Sequence, residues 1–104
     1  MKKRNIALIG FMGTGKSSVG KALARRLKLR FLDLDQGIEQ TEKKTIAQIF
    51  AQKGEAYFRK VERKALKKGV RQKGIVISTG GGIVLNSKNV RDLKCHCIVV
   101  GLQA

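Results

Sequence analysis

The sequence predicts an α/β fold, in which short apolar strands alternate with helices around a central parallel sheet. Two observations carry this prediction: four apolar runs have strand length, and segments with helical periodicity separate consecutive runs. Strands that are connected through helices run parallel, and their crossovers place helices on both faces of the sheet. We therefore expect three layers, with ligands bound outside the carboxyl ends of the strands.

The individual elements follow from apolar runs, caps and glycines. The strands are expected at 6–9, at 31–32 with an extended exit through Asp35, at 75–77 and at 98–100. The helices are expected at 17–27, from Gly37 onward, from Thr45 to a stop at Gly54, at 55–68 and at 87–93. Thr45 and Gln48 form a capping box, and Gly54 is a typical helix-ending residue.

The segment 10–17, GFMGTGKS, fits the phosphate-binding loop pattern G-x-x-x-x-G-K-[ST] at every specified position. It lies between the first expected strand and the first expected helix. Glycines let backbone N–H groups turn toward phosphate oxygens, and the helix N-terminus adds unbonded donors with a partial positive charge. The sequence therefore predicts a nucleotide site in which Lys16 reaches the β- and γ-phosphates and the Ser17 hydroxyl ligates Mg²⁺.

Composition limits the chain to one domain with a strongly basic surface. Its 104 residues include 23 Lys and Arg against 7 Asp and Glu, a formal charge of +16. The basic residues are scattered without interleaved aromatic residues, so we expect a surface that attracts anionic ligands and no nucleic-acid partner. No apolar run reaches the roughly 18 residues of a membrane span, and no signal-peptide core follows Met1. We expect a cytoplasmic monomer with no membrane partner.

Three further features follow expected strands or lie on a neighbouring helix. Asp33 and Asp35 flank one residue, so in an extended exit their carboxylates face one side; alternatively, they cap the next helix. The run TGGG at 79–82 permits close backbone approach to a ligand, or forms a plain flexible loop. Arg59 follows Phe58 on an amphipathic helix, where its guanidinium either holds a carboxylate bidentately or remains solvated.

Taken together, these motifs resemble the shikimate kinase family. The resemblance is carried by GFMGTGKS at 10–17, DLD at 33–35, the segment 54–59 with Phe58-Arg59, and TGGG at 79–82, and it extends over essentially all 104 residues. It implies a P-loop kinase fold with α/β/α layers. It also implies transfer of the γ-phosphoryl group of ATP to the 3-hydroxyl of shikimate, a step of chorismate and aromatic amino acid biosynthesis.

The resemblance also implies roles for individual residues. The implied ligands of the ATP phosphates are Gly13, Thr14, Gly15, Lys16, Ser17 and Ser18. Ser17 would ligate Mg²⁺, and Asp33 would support the water shell of the ion. Asp35 would bind shikimate hydroxyls and orient or deprotonate the attacking 3-hydroxyl, so that Lys16 and Asp35 are the implied catalytic residues. The implied substrate contacts are completed by Arg59, which would hold the carboxylate, and by the backbone of Gly80, Gly81 and Gly82, with Gly81 most direct.

The chain departs from the family pattern beyond the fourth strand. There the family adds a lid arginine, a second substrate-binding arginine, a fifth strand and a final helix, whereas this sequence ends at Ala104. We expect residues 1–104 to be an incomplete P-loop kinase domain that binds Mg·ATP better than it catalyses, because the lid arginine stabilises the transition state. The alternatives are a gluconate kinase-like phosphotransferase, a catalytically inert ATP-binding fragment, and a basic nucleic-acid-binding protein that retains a phosphate loop.

Overall fold

A computed structural model describes the backbone of residues 5–10 and 16–102 and the side chains of 5–10 and 18–101. The strands are β1 (Asn5–Gly10), β2 (Arg30–Asp33), β3 (Ile75–Ser78) and β4 (Cys97–Leu102). The helices are α1 (Lys16–Leu27), α2 (Leu34–Glu42), α3 (Ile46–Val70) and α4 (Ser87–His96), and a 3-10 helix spans Ile83–Leu85. All pairings are parallel and the sheet has the order β2-β3-β1-β4. The predicted parallel α/β fold is confirmed.

Alternate side chains of the strands point to opposite faces of the sheet and bury two separate cores. The core under α3 and α4 consists of Ala7, Leu34, Leu66, Val70, Ile75, Ile77, Ile83, Leu93 and Cys97. The core under α1 consists of Leu8, Ala24 and Val76. Consecutive residues of one strand thus pack into different cores: Ala7 lies in the core under α3 and α4, and Leu8 lies in the core under α1. The three-layer arrangement predicted from the alternating elements is confirmed.

A third apolar cluster joins α2 to α3 beside the sheet, and it consists of Ile38, Ile49 and Phe58. The capping box of Thr45 and Gln48 begins α3 as predicted, with both reciprocal hydrogen bonds present. Gly54 has φ 86° and ψ 170°, so that two helical segments meet there at a kink. Gly54 therefore interrupts α3 where a helix end was predicted.

The start of α2 differs from the prediction. The helix begins at Leu34 instead of Gly37, because Asp33 is its N-cap and accepts a hydrogen bond at 3.2 Å from the backbone N–H of Gln36. Aspartate is favoured at such positions because its oxygen satisfies an N–H group that the first turn leaves unbonded. Asp35 consequently lies in the first turn of α2. The expected extended exit through Asp35 is wrong.

The bounds of α4 and β4 also differ slightly from those predicted. Helix α4 continues to His96, so that β4 begins at Cys97 and includes the predicted run 98–100. Both cysteines are free; Cys95 is exposed on α4, whereas Cys97 is buried at the start of β4. Burial raises the pKa of the Cys97 thiol to about 11.

No helix among the described residues has the length and hydropathy to cross a membrane.

Candidate functional site

The carboxyl ends of β1, β3 and β2 lie side by side, because Ser78 of β3 is in register with Leu8 of β1 and with Asp33 of β2. Thr79, the residue that follows β3, is hydrogen-bonded to this edge. Its backbone N–H and its hydroxyl both donate hydrogen bonds to the Leu8 carbonyl oxygen, at 3.1 and 2.7 Å. The glycine run after Thr79 therefore starts beside the end of the strand that leads into the phosphate-loop motif.

The phosphate-loop motif connects the end of β1 to the start of α1. β1 ends at Gly10, whose φ of 152° lies in the region that favours glycine, and α1 begins at Lys16. Outside the described part of the chain lie the predicted phosphate ligands Gly13, Thr14 and Gly15. Lys16 and Ser17 are described by their backbone alone, and Ser18 is exposed. The helix N-terminus at this point supplies N–H donors and a partial positive charge that favour an anion.

The glycine run packs directly against two charged side chains. A Cβ atom built on Gly80 would lie 2.8 Å from Oδ2 of Asp35, and one built on Gly82 would lie 2.6 Å from Nη2 of Arg59. Real Cβ atoms essentially never come within 3.0 Å of such atoms, so any larger residue would displace these groups. Glycine at both positions thus brings Asp35, Arg59 and the exposed Gly81 into one site. Contact between the run and a ligand stays a prediction.

Arg59 is oriented by neighbours on its own helix. Its Nη1 donates to both carboxylate oxygens of Glu62, at 3.0 and 3.3 Å, and its Nε lies 3.5 Å from Oε1 of Glu55. The guanidinium also lies over the ring of Phe58, with 5.3 Å from Cζ to the ring centroid. Within the described residues, neither Nε nor Nη2 donates a hydrogen bond. These two nitrogens form one edge of the guanidinium with the geometry for bidentate binding of a carboxylate, and Nε is buried in this structure.

Glu62 belongs to the site but was not predicted from the sequence. Its side chain is buried one helical turn beyond Arg59. Burial raises the pKa of Glu62 above its ordinary value; the hydrogen bond and charge of Arg59 oppose this shift, and the negative charge of Asp35 reinforces it. The spacing of three residues from Arg59 was the available signal, since such pairs are neighbours on a helix. That spacing carries no information about burial.

A cleft of about 400 Å³ opens beside Arg59. One side is lined by Glu55, Arg59, Glu62 and Gly82, and the other by residues 85–87 and Asn89. Its size and its polar lining suit a small polar acid. A larger groove of about 670 Å³ lies between α2 and α3, but it is lined mainly by apolar residues and lysines and includes none of the predicted site residues. The smaller cleft is therefore the better candidate.

Asp33 lies at the carboxyl end of β2, where the resemblance implies support for a metal-bound water shell. One of its carboxylate oxygens caps α2. In the part of the chain that the structure describes, no three His, Cys, Asp or Glu side chains cluster as a metal site. A serine hydroxyl and a carboxylate are nevertheless oxygen groups that suit Mg²⁺, which takes few protein oxygens and keeps several waters. The assignment of Ser17 and Asp33 stays a prediction.

Comparison with known proteins identifies one family. The family model for shikimate kinase matches residues 12–104. The shikimate kinase of Persephonella marina is 50% identical over 99 residues, which cover 95% of this chain and 60% of that protein. The shikimate kinase of Pelotomaculum thermopropionicum is 52% identical over 101 residues, which cover 97% of this chain and 59% of that protein.

Solved structures agree with the sequence relatives. The fold matches a shikimate kinase from Acinetobacter baumannii, solved in complex with shikimate, with a TM-score of 0.96 and 41% identity over 98% of this chain and 57% of that chain. It also matches the shikimate kinase of Aquifex aeolicus with a TM-score of 0.89 and 44% identity, over 93% of this chain and 58% of that one. The chain thus spans about 60% of the length of the relatives that it matches.

Proposed function

We propose that this chain, which belongs to the shikimate kinase family, transfers the γ-phosphoryl group of ATP to the 3-hydroxyl of shikimate. One observation carries the proposal: the glycine run places Asp35 and Arg59 together at the sheet edge where the phosphate-loop strand ends. A carboxylate, a guanidinium and exposed backbone are the groups needed to bind a small hydroxylated acid beside a nucleotide. The relative solved with shikimate has the same fold, which supports this acceptor.

Arg59 would bind the carboxylate of shikimate through its Nε and Nη2 edge. Glu62 holds Nη1 from the other side, so the guanidinium keeps its orientation while that edge receives the ligand. Glu55 lies 3.5 Å from Nε, but its side chain is 65% exposed and is free to be displaced by the incoming carboxylate. The backbone of Gly80, Gly81 and Gly82 would line the same ligand.

Asp35 would act at the reacting hydroxyl. Its position against Gly80 places its carboxylate next to the run that lines the ligand. From there it would accept hydrogen bonds from the ring hydroxyls and orient the 3-hydroxyl, or take its proton as the new bond to phosphorus forms. In phosphoryl transfer, such positioning and the stabilisation of charge contribute most of the catalysis.

The donor would lie on the phosphate loop. Gly13, Thr14, Gly15 and Ser18 would supply N–H groups to the phosphates of ATP, and Lys16 would neutralise the β- and γ-phosphates. Ser17 would ligate Mg²⁺, with Asp33 holding its water shell. Mg²⁺ held in this way would supply positive charge to offset the negative charge that develops on the transferred phosphoryl group.

Two substitutions test the acceptor site and the nucleotide site of this proposal separately. Arg59→Lys keeps the charge but removes the bidentate fork, so the affinity for shikimate should fall roughly tenfold, while the affinity for Mg·ATP should change little. Lys16→Ala removes the charge at the β- and γ-phosphates, so Mg·ATP affinity should fall roughly tenfold and shikimate affinity should persist. Both affinities are measured by titration calorimetry, and weak binding by shifts of backbone amide NMR signals.

Lys67→Ala, an exposed residue on the last turn of α3, is the matched control and should change neither affinity. Equal Mg·ATP affinity of the wild type and Lys16→Ala would contradict the phosphate-loop assignment. A loss of both ligands in Arg59→Lys would indicate a structural role for the arginine. Gluconate serves as the competing acceptor, and gluconate binding as tight as shikimate binding would favour the gluconate kinase-like alternative.

A further inference from the structure

Asn89 joins three parts of the molecule through one buried side chain. It lies on α4 and is 1% exposed. Its Nδ2 donates a hydrogen bond of 3.1 Å to the carbonyl oxygen of Ile83, and its Oδ1 accepts one of 3.4 Å from Nη1 of Arg63 on α3. The same Nη1 forms an ion pair with Asp92, one turn further along α4. An amide with a donor and an acceptor side makes both of these contacts, which an apolar residue cannot make.

The Ile83 carbonyl belongs to a folded unit that includes the glycine run. The backbone N–H of Ile83 donates to the Gly80 carbonyl oxygen at 3.3 Å, and that of Leu85 donates to the Gly82 carbonyl oxygen at 3.1 Å. The side chain of Ile83 is buried in the core under α3 and α4. Any movement of the 3-10 helix would therefore carry Gly80 and Gly82 with it.

Glycines cannot anchor themselves, because they have no side chains and gain the most backbone freedom when released. The run at 80–82 is held at its start by Thr79, which makes two hydrogen bonds to the Leu8 carbonyl oxygen. At its far end, the corresponding polar anchor is the bond from Asn89 to Ile83. Between these two anchors the run packs against Asp35 and Arg59, where the spacing leaves no room for a methyl group.

We propose that Asn89 is a positioning residue of the acceptor site, which holds the glycine run in place from α4. Arg63 connects α3 to α4, since it lies one turn beyond Arg59 on α3 and binds both Asn89 and Asp92 of α4. The helix that carries the carboxylate-binding arginine is thus linked to the run that lines the ligand. The role in the acceptor site rests on the function proposed above, whereas the anchoring of the run does not.

Asn89→Asp separates the two contacts of this side chain. The carboxylate has nearly the same shape and still accepts from Arg63, but it loses the donor to Ile83 and places an oxygen against a carbonyl oxygen. We expect amide hydrogen exchange of Ile83 and Leu85 to become about tenfold faster relative to that of Val76 in β3. We expect shikimate affinity to fall several-fold and Mg·ATP affinity to stay within twofold of the wild type. Lys88→Ala, exposed on the same helix, is the control and should change none of these quantities.

The exchange ratio distinguishes anchoring from general stability, because global destabilisation accelerates all three amides together. Should Asn89→Asp fail to fold, Asn89→Leu removes the same donor with a side chain of similar shape and without a buried charge, and it should show the same ratio. An unchanged ratio, or a raised ratio with unchanged shikimate affinity, overturns the positioning role. If the wild type binds Mg·ATP but no shikimate, the proposed function fails at its acceptor, and the exchange ratio alone then decides whether Asn89 anchors the run.

Discussion

Glu62 shows how one residue of the site can orient a ligand-binding group while it opposes folding. Its buried carboxylate receives both hydrogen bonds from Nη1 of Arg59. Burial nevertheless raises its pKa, which means that the folded chain disfavours the ionised form despite the arginine. Because unfolding returns the carboxylate to water, the ionised form lowers the stability of the folded state.

Replacing this carboxylate with an amide should stabilise the protein at neutral pH. As the pH rises through the ordinary value of 4.5, the unfolded chain loses the Glu62 proton first, so wild-type stability falls toward the raised pKa of the folded state. Glu62→Gln lacks this titration and should be the more stable form at pH 7.5. Its advantage should disappear below pH 4.5, where both states of the wild type are protonated.

Urea unfolding of both forms across this pH range measures the difference in the free energy of unfolding. Calorimetry of the same proteins should show several-fold weaker shikimate binding in Glu62→Gln, because a neutral amide holds Nη1 less firmly than a carboxylate does. A stability difference that does not depend on pH would contradict the buried-charge argument. Unchanged shikimate affinity would contradict the orienting role of Glu62.

Among the secondary-structure elements, α3 contributes Glu55, Arg59 and Glu62 to the candidate site, and its shape depends on the kink at Gly54. The segment before the kink packs Ile49 against α2, and the segment after it carries Arg59 and Glu62. The rings of Phe50 and Phe58 stack across the kink with centroids 4.9 Å apart. The backbone at Gly54, with φ 86° and ψ 170°, lies in a region that is essentially restricted to glycine.

Gly54→Ala should therefore destabilise the protein by about 1–3 kcal/mol through backbone strain. A Cβ atom at this position would meet no atom within 4 Å, so steric overlap does not contribute to the effect. Gly37→Ala in α2 is the matched control: it also has open space within 4 Å, but its backbone is helical, so it should stabilise by about 0.5–1 kcal/mol. Thermal unfolding should show opposite shifts of Tm. An unchanged or raised Tm of Gly54→Ala would show that the conformation of Gly54 is unstrained.

At the scale of the whole molecule, β4 is the least covered part of the sheet. Within the described residues it pairs with β1 on one edge alone, and Ile98, Val99 and Val100 remain 48, 36 and 37% exposed. Helix α1 packs mainly over β1, β2 and β3. Exposed apolar strands with an open edge favour association, which the charge of +16 counteracts by repulsion between molecules.

A charge placed on β4 should reduce this exposed apolar surface. Ile98→Lys should lower the fluorescence of the apolar-surface dye ANS, and it should lower light scattering at high salt, where the repulsion is screened. Val19→Lys is the control, because Val19 has a similar exposure of 43% but lies on α1, away from an open strand edge. Equal effects of both substitutions would show that β4 is not the main apolar surface.

Local patterns were sufficient for much of this architecture. All four strands and the capping box of α3 were predicted within about two residues, because apolar periodicity and caps are properties of adjacent residues. The start of α2 was missed because aspartate serves equally as a ligand and as an N-cap, and the local sequence favours neither. Arg59 and the glycine run were predicted as separate signals, without their mutual contact.

By itself, the sequence determined the parallel α/β class, the place of the phosphate loop between β1 and α1, and the residue types available for binding. The tertiary structure alone decided the strand order, the burial of Glu62 and Asn89, and the packing of Gly80 and Gly82 against Asp35 and Arg59. The physical reason is that these features arise between segments far apart in the chain. A residue's neighbours in sequence set its backbone conformation, whereas burial and contact depend on which distant side chains share its layer.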